Sequence, residues 1–128
     1  MKKNLPWILV GILALVSVFI MLPKNETSVV GPATNVVVRD GVQYVTINAR
    51  GGYRPKTSAI KSDIPTKLIV KTNNTYDCSS SLVVRSVNYR GMLLASGETE
   101  IDLGTPKSGE KIAGTCSMGM YNFSINVN

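Results

Sequence analysis

The chain has 128 residues, room for one small domain with a single core. It contains no histidine, so the commonest metal ligand and the commonest general base are both missing; a two-histidine blue-copper centre cannot be built and an enzyme is not expected. Fourteen Lys and Arg against eight Asp and Glu give a net charge of +6, but the charges are scattered, without the basic stripe and stacking aromatics of a nucleic-acid binder.

Residues 1–4 form a short basic flank carrying Lys2 and Lys3. Leu5 to Leu22 bears no charge, and at about 1.5 Å rise per residue a helix over it would reach about 27 Å, close to the thickness of bilayer hydrocarbon. The length predicts a single transmembrane anchor over 5–22, with the lipid bilayer as a partner and the cell membrane as the location. The competing reading is a cleaved secretory signal, but no small-x-small site follows at Pro23-Lys24-Asn25-Glu26. Lysines before the span favour a domain facing outward, by a small margin. Residues 23–39 are mostly polar and turn-forming and are expected to act as a linker, leaving 40–128 as the folded domain.

From about Asn35 onward the chain reads as short strands rich in β-branched and aromatic residues, separated by glycine, proline and asparagine. Candidates are Asn35 to Val38, Val42 to Asn48, Thr66 to Thr72, Ser81 to Asn88, Thr99 to Leu103, Lys111 to Thr115 and Tyr121 to Val127. The last is the clearest, because Tyr121, Phe123, Ile125 and Val127 alternate with polar residues at the two-residue period of a half-buried strand. No stretch has the apolar spacing of an amphipathic helix. The expected fold is an all-β, antiparallel sandwich or small barrel.

The unusual stretch is Cys116-Ser117-Met118-Gly119-Met120, between the last two candidate strands. Gly119 allows a tight turn there, which would let the Met118 and Met120 thioethers approach the Cys116 thiol. Cys78 follows the turn-rich Asn73 to Asp77 and opens the strand that begins near Ser81, so both cysteines would lie at one end if those strands are neighbours. Methionine is usually a core filler, and Met92 is read that way. Met118 and Met120 are read as ligands because they flank a glycine in a turn. The two cysteines could form a disulfide, stand as thiols or share a metal, and counting does not choose among these. If a metal is held, two thiolates and two thioethers suit Cu(I), whereas zinc would want four Cys or His ligands. The candidate metal ligands are therefore Cys78, Cys116, Met118 and Met120. The alternative is a surface-displayed structural or interaction sandwich with a Cys78–Cys116 disulfide.

The residues Gln43 to Ile47, Gly52-Tyr53-Arg54-Pro55, Ile64 to Leu68, Cys78-Ser79, Gly97 to Ile101 and Cys116 to Met120 resemble the cupredoxin-like domains of bacterial copper-handling proteins. Together with the apolar N-terminal run, the chain resembles the membrane-anchored Cu(I) chaperones of Gram-positive bacteria. The resemblance implies a cupredoxin-like sandwich in which sulfur replaces the histidine ligands. It also implies one tight Cu(I) on Cys78 and Cys116, and a second, weaker Cu(I) held with help from Met118 and Met120. The implied partner is a copper-exporting P-type ATPase carrying a similar domain, with copper resistance as the outcome. Handing copper to such a domain, and keeping both cysteines reduced, argues for the cytoplasmic side of the membrane against the lean of the lysines.

Overall fold

The computed structural model describes residues 28–29 and 35–128. The basic flank, the apolar span 5–22 and most of the linker lie outside the described residues. Among those described, the strands are β1 (Ser28–Val29), β2 (Val36–Arg39), β3 (Val42–Ala49), β4 (Tyr53–Arg54), β5 (Thr57–Ile60) and β6 (Thr66–Thr72). They continue as β7 (Ser81–Val84), β8 (Tyr89–Met92), β9 (Gly97–Asp102), β10 (Lys111–Cys116) and β11 (Asn122–Val127). Short 3-10 turns at Cys78–Ser80 and Arg85–Val87 flank β7, and no α-helix occurs among the described residues.

The strands form two sheets packed face to face. One has the order β1-β2-β3-β6-β9 with β4 beside β3, and the other the order β5-β11-β10-β7-β8. The all-β sandwich expected from the sequence is present, but it is not purely antiparallel. Strand β3 runs parallel to β6, from Gln43 beside Thr66 to Ala49 beside Thr72, and β5 runs parallel to β11. A parallel pair needs a long crossover rather than a tight hairpin. Between β3 and β6 the chain leaves the first sheet to place β5 on the second, and β5 then waits for the last strand of the chain. Turn residues report hairpins between consecutive strands and carry no record of such distant pairings.

The membrane localisation expected from the sequence is likewise corrected. Among the described residues no helix is long and apolar enough to cross a membrane; they are strands and single 3-10 turns.

Strand periodicity sets the core. Val45, Ile47 and Ala49 of β3 with Leu68 and Val70 of β6 face Leu82 and Val84 of β7, Ile112 of β10, and Phe123, Ile125 and Val127 of β11. The alternation from Phe123 to Val127 therefore marks the buried face as expected. The stretch read as one strand from Ser81 to Asn88 ends instead at Val84. Arg85–Val87 coil into the 3-10 turn and Asn88 adopts the left-handed conformation (φ 55°), which asparagine tolerates better than most residues, so the chain reverses into β8.

One glycine is fixed by packing. Gly114 lies directly opposite Phe123, and a Cβ built on it would fall 2.2 Å from the Phe123 ring. That ring packs edge-on against Tyr53, with centroids 5.1 Å apart. Gly114→Ala is expected to force this aromatic pair aside and cost about 1–3 kcal/mol, the usual range for overpacking. Thermal unfolding of the variant checks it, and an unchanged midpoint would show that the ring is free to move.

Candidate metal centre

The strand directions bring the chemistry-bearing residues to one end of the sandwich. At that end β10 finishes at Cys116, β7 begins at Ser81, and β3 and β6 finish at Ala49 and Thr72. Cys116 is paired with Leu82, so the strands carrying Cys116 and following Cys78 are immediate neighbours. The two thiols are free and hydrogen-bonded to each other. Cys116 is buried, at 1% exposure, whereas Cys78 is only half-buried. Thiols 38 positions apart in the chain are thus brought together through one strand pairing.

The turn presenting Cys78 is held by Asp77. Its carboxylate accepts the Ser79 amide at 2.8 Å and the Ser79 hydroxyl, capping the 3-10 turn, and its other oxygen accepts the Gly51 amide at 2.8 Å. These hydrogen bonds, that from the Ser79 hydroxyl first, hold the Asp77 carboxyl below its ordinary range. Beneath it, the buried Tyr53 hydroxyl donates to the Ser79 carbonyl at 3.1 Å. Burial, and then the neighbouring Cys116, Cys78 and Asp77, push the Tyr53 phenol well above its ordinary range, so it stays a neutral donor.

The loop presenting Cys116 is a tight reversal between β10 and β11. The Cys116 amide donates to the Tyr121 carbonyl at 3.0 Å, the Gly119 amide donates to the Cys116 carbonyl at 2.9 Å, and Gly119 takes φ +75°. Glycine meets that requirement without strain. The Ser117 amide donates to the Ser81 carbonyl at 3.0 Å, fixing the loop to the Cys78 side. With this closure the backbone amides of Tyr121, Met118 and Met120 favour the Cys116 thiolate, and that of Met118 also favours the Cys78 thiolate.

These contacts separate the two thiols electrostatically. Burial opposes ionisation of Cys116, but the hydrogen bond from Cys78 and the three loop amides outweigh it, and its pKa lies below the ordinary thiol value. Cys78 is pushed up, first because it shares its proton with Cys116 and then by desolvation. The pair therefore loses its first proton readily, leaving a thiolate cradled by amides, and its second reluctantly.

Met118 and Met120 stand at 76% and 63% exposure on the same loop. Both side chains are exposed, whereas Cys116, on the same loop, is buried. Met92, expected in the core, is instead 73% exposed. Its neighbour Gly91 pairs with Leu82, which pairs with Cys116, so Met92, one position along, takes the opposite face of the sheet from Cys116. The core reading failed because β8 is an edge strand whose outward face has nothing packed on it among the described residues. Tyr76 and Leu94 are also exposed near this end, carried by the Thr75 amide bonded to the Ala95 carbonyl and the Leu93 amide bonded to the Ser80 carbonyl. The apolar rim was not evident from sequence, whereas the Asp77-Cys78-Ser79 run offered a visible capping signal for the Cys78 turn.

As a donor set the site is soft. Among the described residues no group of three or more His, Cys, Asp or Glu side chains could hold a metal ion. Two sulfurs with one low-pKa thiolate, and two solvent-facing thioethers above them, fit a monovalent soft cation that accepts low coordination.

No protein-family model matches the chain, and no curated protein sequence matches it. Solved structures do match. The solution structure of a copper-binding protein in its apo form is 19% identical, covering 73% of this chain and 94% of its own, with a TM-score of 0.65. The Cu(I)-bearing metal-binding domain of the Cu(I)-exporting P-type ATPase CopA from Streptococcus pneumoniae D39 is 19% identical, covering 83% and 99%, with a TM-score of 0.62. Rusticyanin variants are 14% identical, covering 89% and 94%, with a TM-score of 0.50. The described residues thus form a cupredoxin-like β-sandwich.

Proposed function

We propose that this protein is a Cu(I) carrier and buffer, without catalytic activity, that takes up Cu(I) on Cys and Met sulfur and hands it to a copper-exporting P-type ATPase. The observation that carries this reading is the pairing of a buried Cys116 with Cys78, at the foot of a loop that also carries the exposed Met118 and Met120. Cys78 and Cys116 hold one ion tightly as thiolates. Met118 and Met120 are neutral ligands at any pH; they help hold a second ion more weakly and in reach of solvent. Nothing in the set can supply a base or an activated water, and Cu(I) needs no change of oxidation state to be passed on.

Transfer proceeds by exchange of one sulfur at a time, from the rim outward. The exposed Leu94, Tyr76, Met118 and Met120 give this end of the sandwich an apolar surface of the kind that marks a protein contact. A partner domain of the same fold is supported by the likeness to the ATPase metal-binding domain, which carries Cu(I) itself. Outflow of copper through such a partner would confer copper resistance.

The two-site arrangement is tested by the Met118→Leu and Met120→Leu double variant. Leucine keeps the apolar bulk and removes the thioether. The reduced wild type is expected to withdraw two Cu(I) ions from a chromophoric chelator of graded strength, and the double variant one, with the tighter affinity preserved. Two ions retained by the variant would remove the methionines from the site.

A further inference from the structure

Beside the methionine rim lies a small cavity of about 210 Å³, bordered by Arg54, Lys56, Met120, Tyr121, Asn122 and the Gly51-Gly52 turn. It is a built feature. The Tyr121 ring lies 3.4 Å from the position a Cβ would take on Gly52, an ordinary packing distance, and the turn's φ of +119° is one that side chains rarely adopt. The turn is closed by the Arg50 amide on the Gly52 carbonyl at 2.9 Å and tied to the Cys78 turn by the Gly51 amide on Asp77. Lys56 is seated beside β11 by the Ser124 amide, which donates to its carbonyl at 2.8 Å. Among the described residues the ion pairs engage Lys67, Lys71 and Lys107, and neither Arg54 nor Lys56 belongs to one.

Two cations that pair with no carboxylate among the described residues therefore border a concavity whose third wall is a proposed copper ligand. A carboxylate fits the Arg54 guanidinium and the Lys56 ammonium, and the Asn122 amide adds a hydrogen-bond donor. The volume is below the roughly 300–1,000 Å³ of pockets that enclose a drug-sized molecule, so it takes one amino-acid-sized end of a ligand. The soft atom beside it decides what the other end carries. We propose that this cavity is the entry site for Cu(I) carried by a small carboxylate-bearing thiol, whose acidic end is held by Arg54 and Lys56 while its copper is presented to Met120.

This inference rests on the Cu(I)-carrier reading and adds the chemical class of the donor. Copper remains Cu(I) throughout. It leaves two donor thiolates for the Met120 and Met118 thioethers and then the Cys78 and Cys116 sulfurs, and the two protons released by these cysteines are taken up by the two departing donor thiolates.

Glutathione serves as the probe, and its diethyl ester, with the same thiol and both carboxylates masked, as the control. Full-length reduced protein is mixed with each preformed Cu(I) complex and loading is followed by stopped flow. Wild type is expected to load about tenfold faster from the acid than from the ester, at the low end of electrostatic steering effects. Arg54→Gln with Lys56→Gln is expected to abolish that preference while leaving the ester rate and the chelator-measured affinity unchanged. Equal wild-type rates from the two donors, or a variant slowed alike with both, would overturn the inference. A metal-free arm reads the cavity directly: S-methylglutathione, which cannot carry the ion through a thiolate, should shift the Gly51, Gly52 and Asn122 amide resonances in wild type and not in the variant. Absent shifts also overturn it. Failure of the chelator titration itself would instead strike the carrier reading, so the two failures are distinguishable.

Discussion

Reduced protein in which Cys78 and Cys116 are both replaced by serine is expected to lose more than about a thousandfold in Cu(I) affinity, three decades on the scale that relates affinity to free energy. A hydroxyl is close in size to a thiol but is a hard, neutral donor at any accessible pH, whereas Cu(I) selects soft sulfur. The single variants should differ. Cys116→Ser removes the thiolate that the Tyr121, Met118 and Met120 amides stabilise, and is expected to be the more damaging. Cys78→Ser leaves that thiolate and both thioethers, and should retain weakened binding. Circular dichroism of each metal-free variant separates loss of the site from loss of the fold. Competition against a Cu(I) chelator reads the affinity, and an undiminished value in the double variant would remove the cysteines from the site.

The second large effect is a dependence on pH. Copper binds thiolates, so each thiol still protonated in the free protein must release a proton. Below both thiol pKa values two protons leave and affinity should rise about a hundredfold per pH unit; between them one leaves and the rise is about tenfold; above both it is flat. Cys116 is held below the ordinary thiol value and Cys78 above it, so the intermediate region is widened. The sign is fixed: acid releases copper and alkali tightens the hold. Serine at position 78 should abolish the upper step and leave the lower one. Chelator competition across a pH series gives the slopes directly. A flat profile would mean that thioethers alone carry the ion.

The sequence made the candidate donors legible because their chemistry is local. Three sulfurs within five residues, a glycine in their midst and no histidine anywhere are enough to suggest a soft-metal loop. The pairing of Cys116 with Leu82, which brings Cys78 alongside, is a non-local register that the sequence only allows. The same limit explains the parallel β3–β6 and β5–β11 pairs, since no turn joins those strands. Strand β11 was legible because one of its faces is solvated and its alternation shows. Met92 was misread because an apolar residue on an exposed edge strand looks like a core residue until the neighbouring strands are placed. Arg54 and Lys56 looked like scattered surface charge, and their position beside Met120 depends on β4 folding back along β3 while β11 leads away from the loop.

The support beneath the site is also tertiary. Asp77 caps the Cys78 turn and binds the Gly51 amide, and the Tyr53 hydroxyl reaches the Ser79 carbonyl, contacts that link segments 26 positions apart. They hold Cys78 where its proton can be shared with Cys116. In the proposed carrier, support of this kind would keep the thiols ready for an ion and leave adjustment to the exposed methionines.

The most direct test of the central claim is X-ray absorption at the copper edge of reduced, full-length protein loaded with one equivalent of Cu(I). The account predicts a Cu(I) edge with sulfur as the only scatterer in the first shell, and loss of that signature in the Cys78→Ser, Cys116→Ser variant. A first shell of nitrogen or oxygen, or a sulfur shell that survives in the variant, would contradict it.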